Sequence, residues 1–213
     1  MIDLLEPITL ALIPGFMLFD FITRKTKYAA TRLWRLRGFL VTVGIFFFTT
    51  WVALFWGELL DGYSMLDSSS LGITGGAIVG VLVYEFLHYW YHRVAHNWNW
   101  LWLAGHQMHH SAESLDAFGA NYLHPFDAAM FTTWGALVFF PLLGLVPEAG
   151  ALASLFLVFN AMYQHANINT PHWLGYVIQR PESHAIHHGR GIHRLVMSEA
   201  TIYEPLCKPQ LFE

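Results

Sequence analysis

The sequence predicts an all-α, multi-pass membrane protein, a bundle of four to five transmembrane segments with a histidine-rich helical part on the cytosolic side. Of its 213 residues, 55% are apolar and only 12% are charged, against roughly 25% charged in an average soluble protein. Uncharged or nearly uncharged runs recur along it, some reaching the about 20 residues that cross a hydrocarbon core of roughly 30 Å. Beside these runs lie His92 and His96, then His106, His109 and His110, then His184, His187 and His188. Nothing along 1–213 reads as a linker, so a single integral-membrane domain is expected.

Residues 1–6 lack the positive region of a cleaved signal peptide, so the first apolar segment is expected to remain. That segment, 4–22, is interrupted by Glu6, Pro14, Gly15 and Asp20 and is read as a span. The uncharged run 38–57 is the clearest span. A third helix starts at 71–84 and continues as an aromatic stretch to Tyr91, leaving lipid near Glu85. Its Gly76 and Gly80 form a small-xxx-small pattern that lets another helix approach closely. A fourth span, 128–146, is kinked or ended around Pro141, and after Pro147 and Glu148 the shorter run 150–163 returns.

Arg24, Lys25, Lys27, Arg32, Arg35 and Arg37 lie between the first two segments with no acid among them. The positive-inside rule places that stretch in the cytoplasm. Crossings counted from there put the loop with Glu58, Asp61 and Asp67 outside and every dense histidine cluster on the cytoplasmic face. The hairpin of the fourth and fifth segments returns His165 to that face. The choice between a bacterial inner membrane and the endoplasmic reticulum stays open, because the charge rule serves both.

Helix positions three and four apart share a face. His92 with His96, His106 with His109 and His110, and His184 with His187 and His188 can each converge on a point. Eight such ligands exceed what one tetrahedral zinc uses, which argues for two metals; imidazole itself suits Zn, Cu, Fe and Ni alike. The lone Cys207 excludes cysteine-based zinc, iron–sulfur and disulfide frameworks. His-Glu-x-x-His is absent, which counts against a zinc metalloprotease. No basic groove with stacking aromatics suggests nucleic acid. Glu85 either hydrogen-bonds a ligating imidazole or marks the lipid boundary. The aromatic residues Tyr84, Tyr89, Trp90, Tyr91, Trp98, Trp100 and Trp102 form an interfacial belt or line a lipid entrance.

The run Glu85-Phe-Leu-His-Tyr-Trp-Tyr-His92-Arg-Val-Ala-His96, then Gly105-His106-Gln-Met-His109-His110-Ser111, then His124-Pro125 and His184-Ala-Ile-His187-His188 resembles the fatty acid hydroxylase and sterol desaturase superfamily. The form His106-Gln-Met-His109-His110-Ser111-Ala-Glu113 is most similar to the branch that includes alkylglycerol monooxygenase. The resemblance runs from about residue 32 to residue 188 and ends near Arg194, leaving 194–213 as an atypical tail. It implies a transmembrane bundle with a cytosolic cap enclosing two iron ions, which use O2 and two electrons to hydroxylate or desaturate a lipid. It makes His92, His96, His106, His109, His110, His184, His187 and His188 metal ligands and adds His165. Asn169 stands where some members carry a further histidine, and His124 matches a segment with either a site role or a structural hydrogen bond. His88 is read as a non-ligand, and His172 and His193 fit no motif.

No dinucleotide fingerprint, haem-attachment motif or cysteine cluster is present. An external electron donor, a reductase or small carrier docking on the cytoplasmic face, is therefore expected. Two alternatives accompany the oxygenase reading: a membrane metal-binding or transport protein, and a non-catalytic relative with a defective tail.

Overall fold

The computed structural model describes residues 2–23, 25–28 and 30–189. Arg24, His193, Cys207 and the tail 194–213 lie outside the described residues. Among the described residues the structure is helical, with no strand. Three helices are long and apolar enough to cross a membrane, Leu4–Thr23, Trp34–Leu59 and Ser69–Asn97.

Helix α1, Ile2–Thr23, runs unbroken through Pro7 and Pro14. Helix α2, Trp34–Leu59, extends the uncharged run at both ends. Helix α3, Gly72–Asn97, continues well past Glu85 and carries the aromatic stretch and the first two histidines on one rod. Two short helices follow, α4 over Asn99–Leu101 and α5 over Gln107–His110, joined by a π-helical turn at Trp102–His106. Helix α6, Pro125–Leu137, passes into a second π turn, Val138–Leu142, around Pro141. Helix α7 is Pro147–His165 and α8 is Pro181–His187. Helices α6, α7 and α8 all start on proline, whose fixed φ and missing N–H suit the first helical position.

The long helices alternate in direction, and α3 and α1 pack along α7 while α2 packs along α6. Gly76 and Gly80 make the α3–α7 approach possible. A Cβ on Gly76 would stand 3.0 Å from Ala149 Cβ, and one on Gly80 3.0 Å from Leu145 and 3.3 Å from Phe139. Ala77, Val81, Phe139, Ala149 and Ala153 fill the seam. At one end of the bundle the backbone N–H groups of Met65 and Ser68 donate to the carbonyls of Pro141 and Leu143. The other end gathers the C-terminal ends of α1, α3 and α7, the N-terminal ends of α2 and α6, and the histidine-bearing segments.

Asp20 ties α1 to that end. It is fully buried, and its carboxylate accepts the backbone N–H of Ala117 at 2.7 Å and of Asn167 at 3.0 and 3.1 Å. Asn167 in turn bonds both backbone groups of Thr26 through its side chain, at 2.8 Å each. A residue that interrupts an apolar run in the sequence is thus the acceptor that two buried loops require. Asp20→Ala strands two buried donors, each at a cost of roughly 1–3 kcal/mol. The expected result is a lower melting temperature in detergent, with Asp20→Asn falling between the variant and the parent because one oxygen acceptor remains.

Candidate metal centre

Nine of the described histidines form two groups, and within each group the facing ring nitrogens all lie within 4.8 Å of one another. The first comprises His92, His96, His106, His110 and His187; the second comprises His109, His165, His184 and His188. All nine histidines anticipated as ligands are brought together, but the sequence clusters are not the spatial groups. His109 separates from His106 and His110, and His187 from His184 and His188. The rule is geometric: the pairs four apart, 92/96, 106/110 and 184/188, each stay in one group, while the residue three along turns to the other. Helices α5 and α8 therefore serve both groups, α3 only the first and α7 only the second. His110 and His188 stack across the boundary, with centroids 4.2 Å apart and planes 15° apart.

Facing nitrogens are close enough to share an ion. In the first group, Nε2 of His96 lies 2.9 Å from Nε2 of His92 and 3.0 Å from Nε2 of His106. In the second, Nε2 of His165 lies 3.2 Å from that of His109 and 2.9 Å from that of His184, and His184 lies 3.0 Å from His188. A metal–nitrogen bond of roughly 2.0–2.1 Å places neighbouring ligands about 3.0 Å apart at right angles and about 3.4 Å apart in a tetrahedron. The spacing and the five-membered first group suit a metal with more than four ligands better than tetrahedral zinc.

Partners outside the groups set the imidazole tautomers. Nδ1–H of His106 donates to Oδ2 of Asp127 at 2.7 Å, and the hydroxyl of Tyr91 donates to Oδ1 at 2.6 Å. Nδ1–H of His165 donates to the Ala161 carbonyl at 2.7 Å. In both rings a proton on Nδ1 leaves Nε2 as the basic nitrogen, the tautomer that binds a metal. Burial first, then the neighbouring His187, His106, His109 and His96, hold His110 far below the ordinary imidazole range. Burial and His184, His110, His109 and His165 do the same to His188. Nε2 of His110 is buried with no hydrogen-bond partner in the protein, as expected of a ligand atom.

The π turn at Trp102–His106 gives the segment one wide turn, bringing His106 to the face it shares with His110 and placing Gly105 against Phe126 and Asp127. Such turns are frequent at functional sites. Trp102 packs over His96 and His110, 5.3 Å from each. The aromatic stretch divides: Trp90, Trp98 and Trp100 are exposed, whereas Tyr91 and Trp102 support the histidines.

Glu85 lies outside both groups. It is buried, accepts a long 3.4 Å bond from Asn160, and its Oε2 is 3.7 Å from Nδ1 of His88. His88 also lies outside the groups and packs edge-on against Phe131. His124 is exposed and caps α6, its Nδ1 accepting the N–H of Phe126 at 3.2 Å. Asn169 is exposed. His172 opens a 3-10 turn and lies against Tyr176. Asp127 escaped sequence analysis, which saw only its place after His124-Pro125. Asp127→Asn keeps the volume but not the charge or a symmetric acceptor pair, and the expected outcome is a fall of about 10–100-fold in affinity for the first metal. Titration of the metal-free protein with Fe(II) in detergent measures it.

A cavity of about 960 Å³ meets these groups from within the bundle, lined by His106, His109 and His165 at one end and by Leu60, Asp61 and Tyr63 at the other. Apolar-lined helices, two all-histidine groups and a cavity joining them to the bundle interior define a class, that of helical membrane proteins built around a paired histidine centre. More specifically, a family model for fatty acid hydroxylase matches residues 77–200, and the chain belongs to that family. The match passes Arg194, where the resemblance was expected to end, and covers part of the tail.

The chain is 36% identical over 118 residues to alkylglycerol monooxygenase of Homo sapiens, covering 54% of this chain and 24% of that protein. Against the Xenopus tropicalis protein of the same name the identity is 32% over 113 residues, covering 50% and 23%. A very-long-chain aldehyde decarbonylase of Oryza sativa subsp. indica is 27% identical over 117 residues, covering 52% and 44%. The aligned part thus amounts to about a quarter of the alkylglycerol monooxygenases' length. No solved structure matches.

Proposed function

We propose that the chain is a membrane-bound, non-haem di-iron oxygenase that hydroxylates a lipid. One observation carries this reading: two adjacent all-histidine groups stand at the end of a lipid-sized cavity inside a membrane bundle. The family and the relatives named as monooxygenases support it. In this reading His92, His96, His106, His110 and His187 hold one iron, and His109, His165, His184 and His188 hold the other. The bound irons would supply the redox chemistry by which O2, two electrons and two protons convert a C–H bond to C–OH and release one water.

The protein's own residues prepare that chemistry. Asp127 and the Ala161 carbonyl hold Nδ1 of His106 and His165 and so turn Nε2 of each ring toward its group. Burial keeps His110 and His188 uncharged before any ion arrives. Helix walls exclude water, which protects a reactive centre from side reactions. Asn169 and His124, both exposed, are left with structural roles. Electrons come from an external reductase or small carrier.

The topology follows. The α6–α7 hairpin enters the bilayer beside the three long helices, because its two arms pack along α2 and along α1 and α3. The basic stretch that includes Lys25, Lys27, Arg32, Arg35 and Arg37 lies at the histidine end of the bundle, which supports a cytoplasmic face for the centre. A transporter would want its ligands near mid-membrane, whereas these sit at the helix ends.

Purified protein, loaded with iron in detergent and given reductant and a lipid extract under 18O2, tests the proposal. Expected are two irons per chain and label in a hydroxylated lipid. Chains that take up no metal after anaerobic reconstitution sink the proposal. Unlabelled alkene in place of labelled alcohol would assign desaturation instead.

A further inference from the structure

The segment between α7 and α8 is a closed loop with an apolar tip. Its neck is clamped: the backbone N–H and the hydroxyl of Thr170 donate to the two carboxylate oxygens of Glu182 at 2.6 and 2.8 Å, and the Arg180 guanidinium donates to the hydroxyl and carbonyl oxygens of Thr170, both at 3.0 Å. Arg180 also pairs with Glu182 at 3.0 Å. Between these clamps, 171–179 carries no Asp, Glu, Lys or Arg. Within the loop the N–H groups of Leu174, Val177 and Ile178 donate to the carbonyls of Pro171 and Leu174. Gly175 lies against the Arg180 side chain, where a Cβ would stand 3.0 Å from Cδ. Compact surface loops with joined ends of this kind are frequently functional.

Its side chains are sorted by direction. Gln179 is buried and Leu174 and Ile178 are half-buried, whereas Trp173, Tyr176 and Val177 are 63, 67 and 58% exposed. The exposed apolar residues of α1, α2 and α3 meet the lipid that those helices cross, but these three belong to no such helix. An ordered loop that holds large apolar groups outward marks an interaction surface. Trp and Tyr settle at headgroup level, with the apolar ring in lipid and the polar group in water. The loop also stands where that layer is. Two residues beyond the end of α1, the Lys25 N–H donates to the Asn167 carbonyl at 3.2 Å, and the Asn167 side chain holds Thr26. The chain therefore enters the loop at the level where α1 leaves the bilayer. Lys25 and Lys27 are exposed there and supply positive charge for lipid phosphates.

We propose that 171–179 is a membrane-seating loop, whose Trp173, Tyr176 and Val177 enter the headgroup layer of the same bilayer that the bundle crosses. Lipid fits this tip better than a protein partner does, because the tip carries no charged group to orient a protein and the headgroup layer is already beside it. The consequence is mechanical. Helix α8 starts at Pro181, directly beyond the neck, and its seven residues carry His184 of one histidine group and His187 of the other. So short a helix is held by its packing along α7, and the seated loop gives it a second fixed point on the membrane. The inference goes beyond the oxygenase reading and does not depend on it.

The test places a nitroxide at Trp173→Cys, and separately at Tyr176→Cys, in a Cys207→Ser full chain in nanodiscs of phosphatidylcholine and phosphatidylglycerol. Collisions with O2 and with a water-soluble Ni(II) chelate are read for each label. Trp51→Cys, exposed within α2, is the lipid reference, and Asp67→Cys, exposed in a loop, is the aqueous one. Expected at both tip positions is a depth of about 5–10 Å into the headgroup and acyl boundary, between the two references. Nickel accessibility equal to that of the Asp67 label at both positions overturns the seating and leaves the tip to a protein partner. The unlabelled Trp173→Phe variant gives a second measurement that needs no probe. The fluorescence that the parent has and the variant lacks is expected to be quenched by lipids brominated near the headgroup, and a Trp173 signal untouched by them overturns the proposal as well. Neither readout involves metal or turnover, so the loop and the oxygenase reading stand or fall separately.

Discussion

His184→Ala is expected to hold one iron per chain where the parent holds two, and to lose hydroxylation by more than about a hundredfold, beyond the range seen when only an outer partner of a ligand is removed. His184 is fully buried at the middle of the second group, with its Nε2 2.9 Å from His165 and 3.0 Å from His188. Its loss leaves three ligands there and does not touch the five nitrogens of the first group. Because His187 on the same helix serves the other group, His187→Ala should deplete the first ion and spare the second. Metal analysis of the two variants, with Mössbauer or magnetic measurements of the remaining ion, separates the sites. His124→Ala is the control: its ring is exposed and caps α6, so metal content should match the parent while stability falls by about 1 kcal/mol. A His184→Ala chain with two irons and full turnover would show that the groups are not the coordination spheres.

The identity of most of these histidines was legible because helical spacing survives in a sequence; their partition was not. A spacing of three or four says that two side chains share a face, yet where a helix runs between two histidine groups that face is divided, and the extra step of 100° sends neighbours such as His109 and His110 apart. His165 stands alone at the end of α7, with no cluster to mark it, so family resemblance found it where spacing had no purchase. Asp127 is 21 residues from His106 and reaches it only because the loop after α5 folds back, a contact no local pattern encodes. For the bundle, hydropathy located every long helix and missed how they are tied. Asp20 read as a flaw in an apolar run, since its two backbone partners lie about 100 and 150 residues away. Pro14 read as an interruption of the first span, yet Ile2–Thr23 is one helix that carries both Pro7 and Pro14, as transmembrane helices tolerate. Two of the aromatics of the α3–α4 stretch proved supports of the centre, a distinction that depends on which side of the rod each occupies.

Gly38→Leu is expected to lower the melting temperature sharply and to empty the centre, although Gly38 touches no histidine. It lies where α2 crosses the loop that follows His109 and His110, and a Cβ there would stand 2.6 Å from the carbonyl oxygen of Phe118 and 2.9 Å from its Cβ. The obstacle is backbone, which cannot rotate aside as a side chain does. Either α2 withdraws from its packing with α6 around Ile45, Leu123 and Ala128, or the loop moves and carries Ala117 and Phe118 off Met17 and Met162. Overpacking of this kind costs roughly 1–3 kcal/mol when neighbours can adjust, and here the adjusting element leads straight into α5, which feeds both histidine groups. Gly44→Leu on the same helix provides the contrast. Nothing lies within 4 Å of its Cβ position and the residue is exposed, so leucine there should raise helix stability by about 0.5–1 kcal/mol and leave iron binding unchanged. Melting temperature and iron content measured on both variants decide it. If Gly38→Leu loads two irons and melts with the parent, the loop does not hold the centre in place, and the ordering of the histidines must come from α3, α7 and α8 alone.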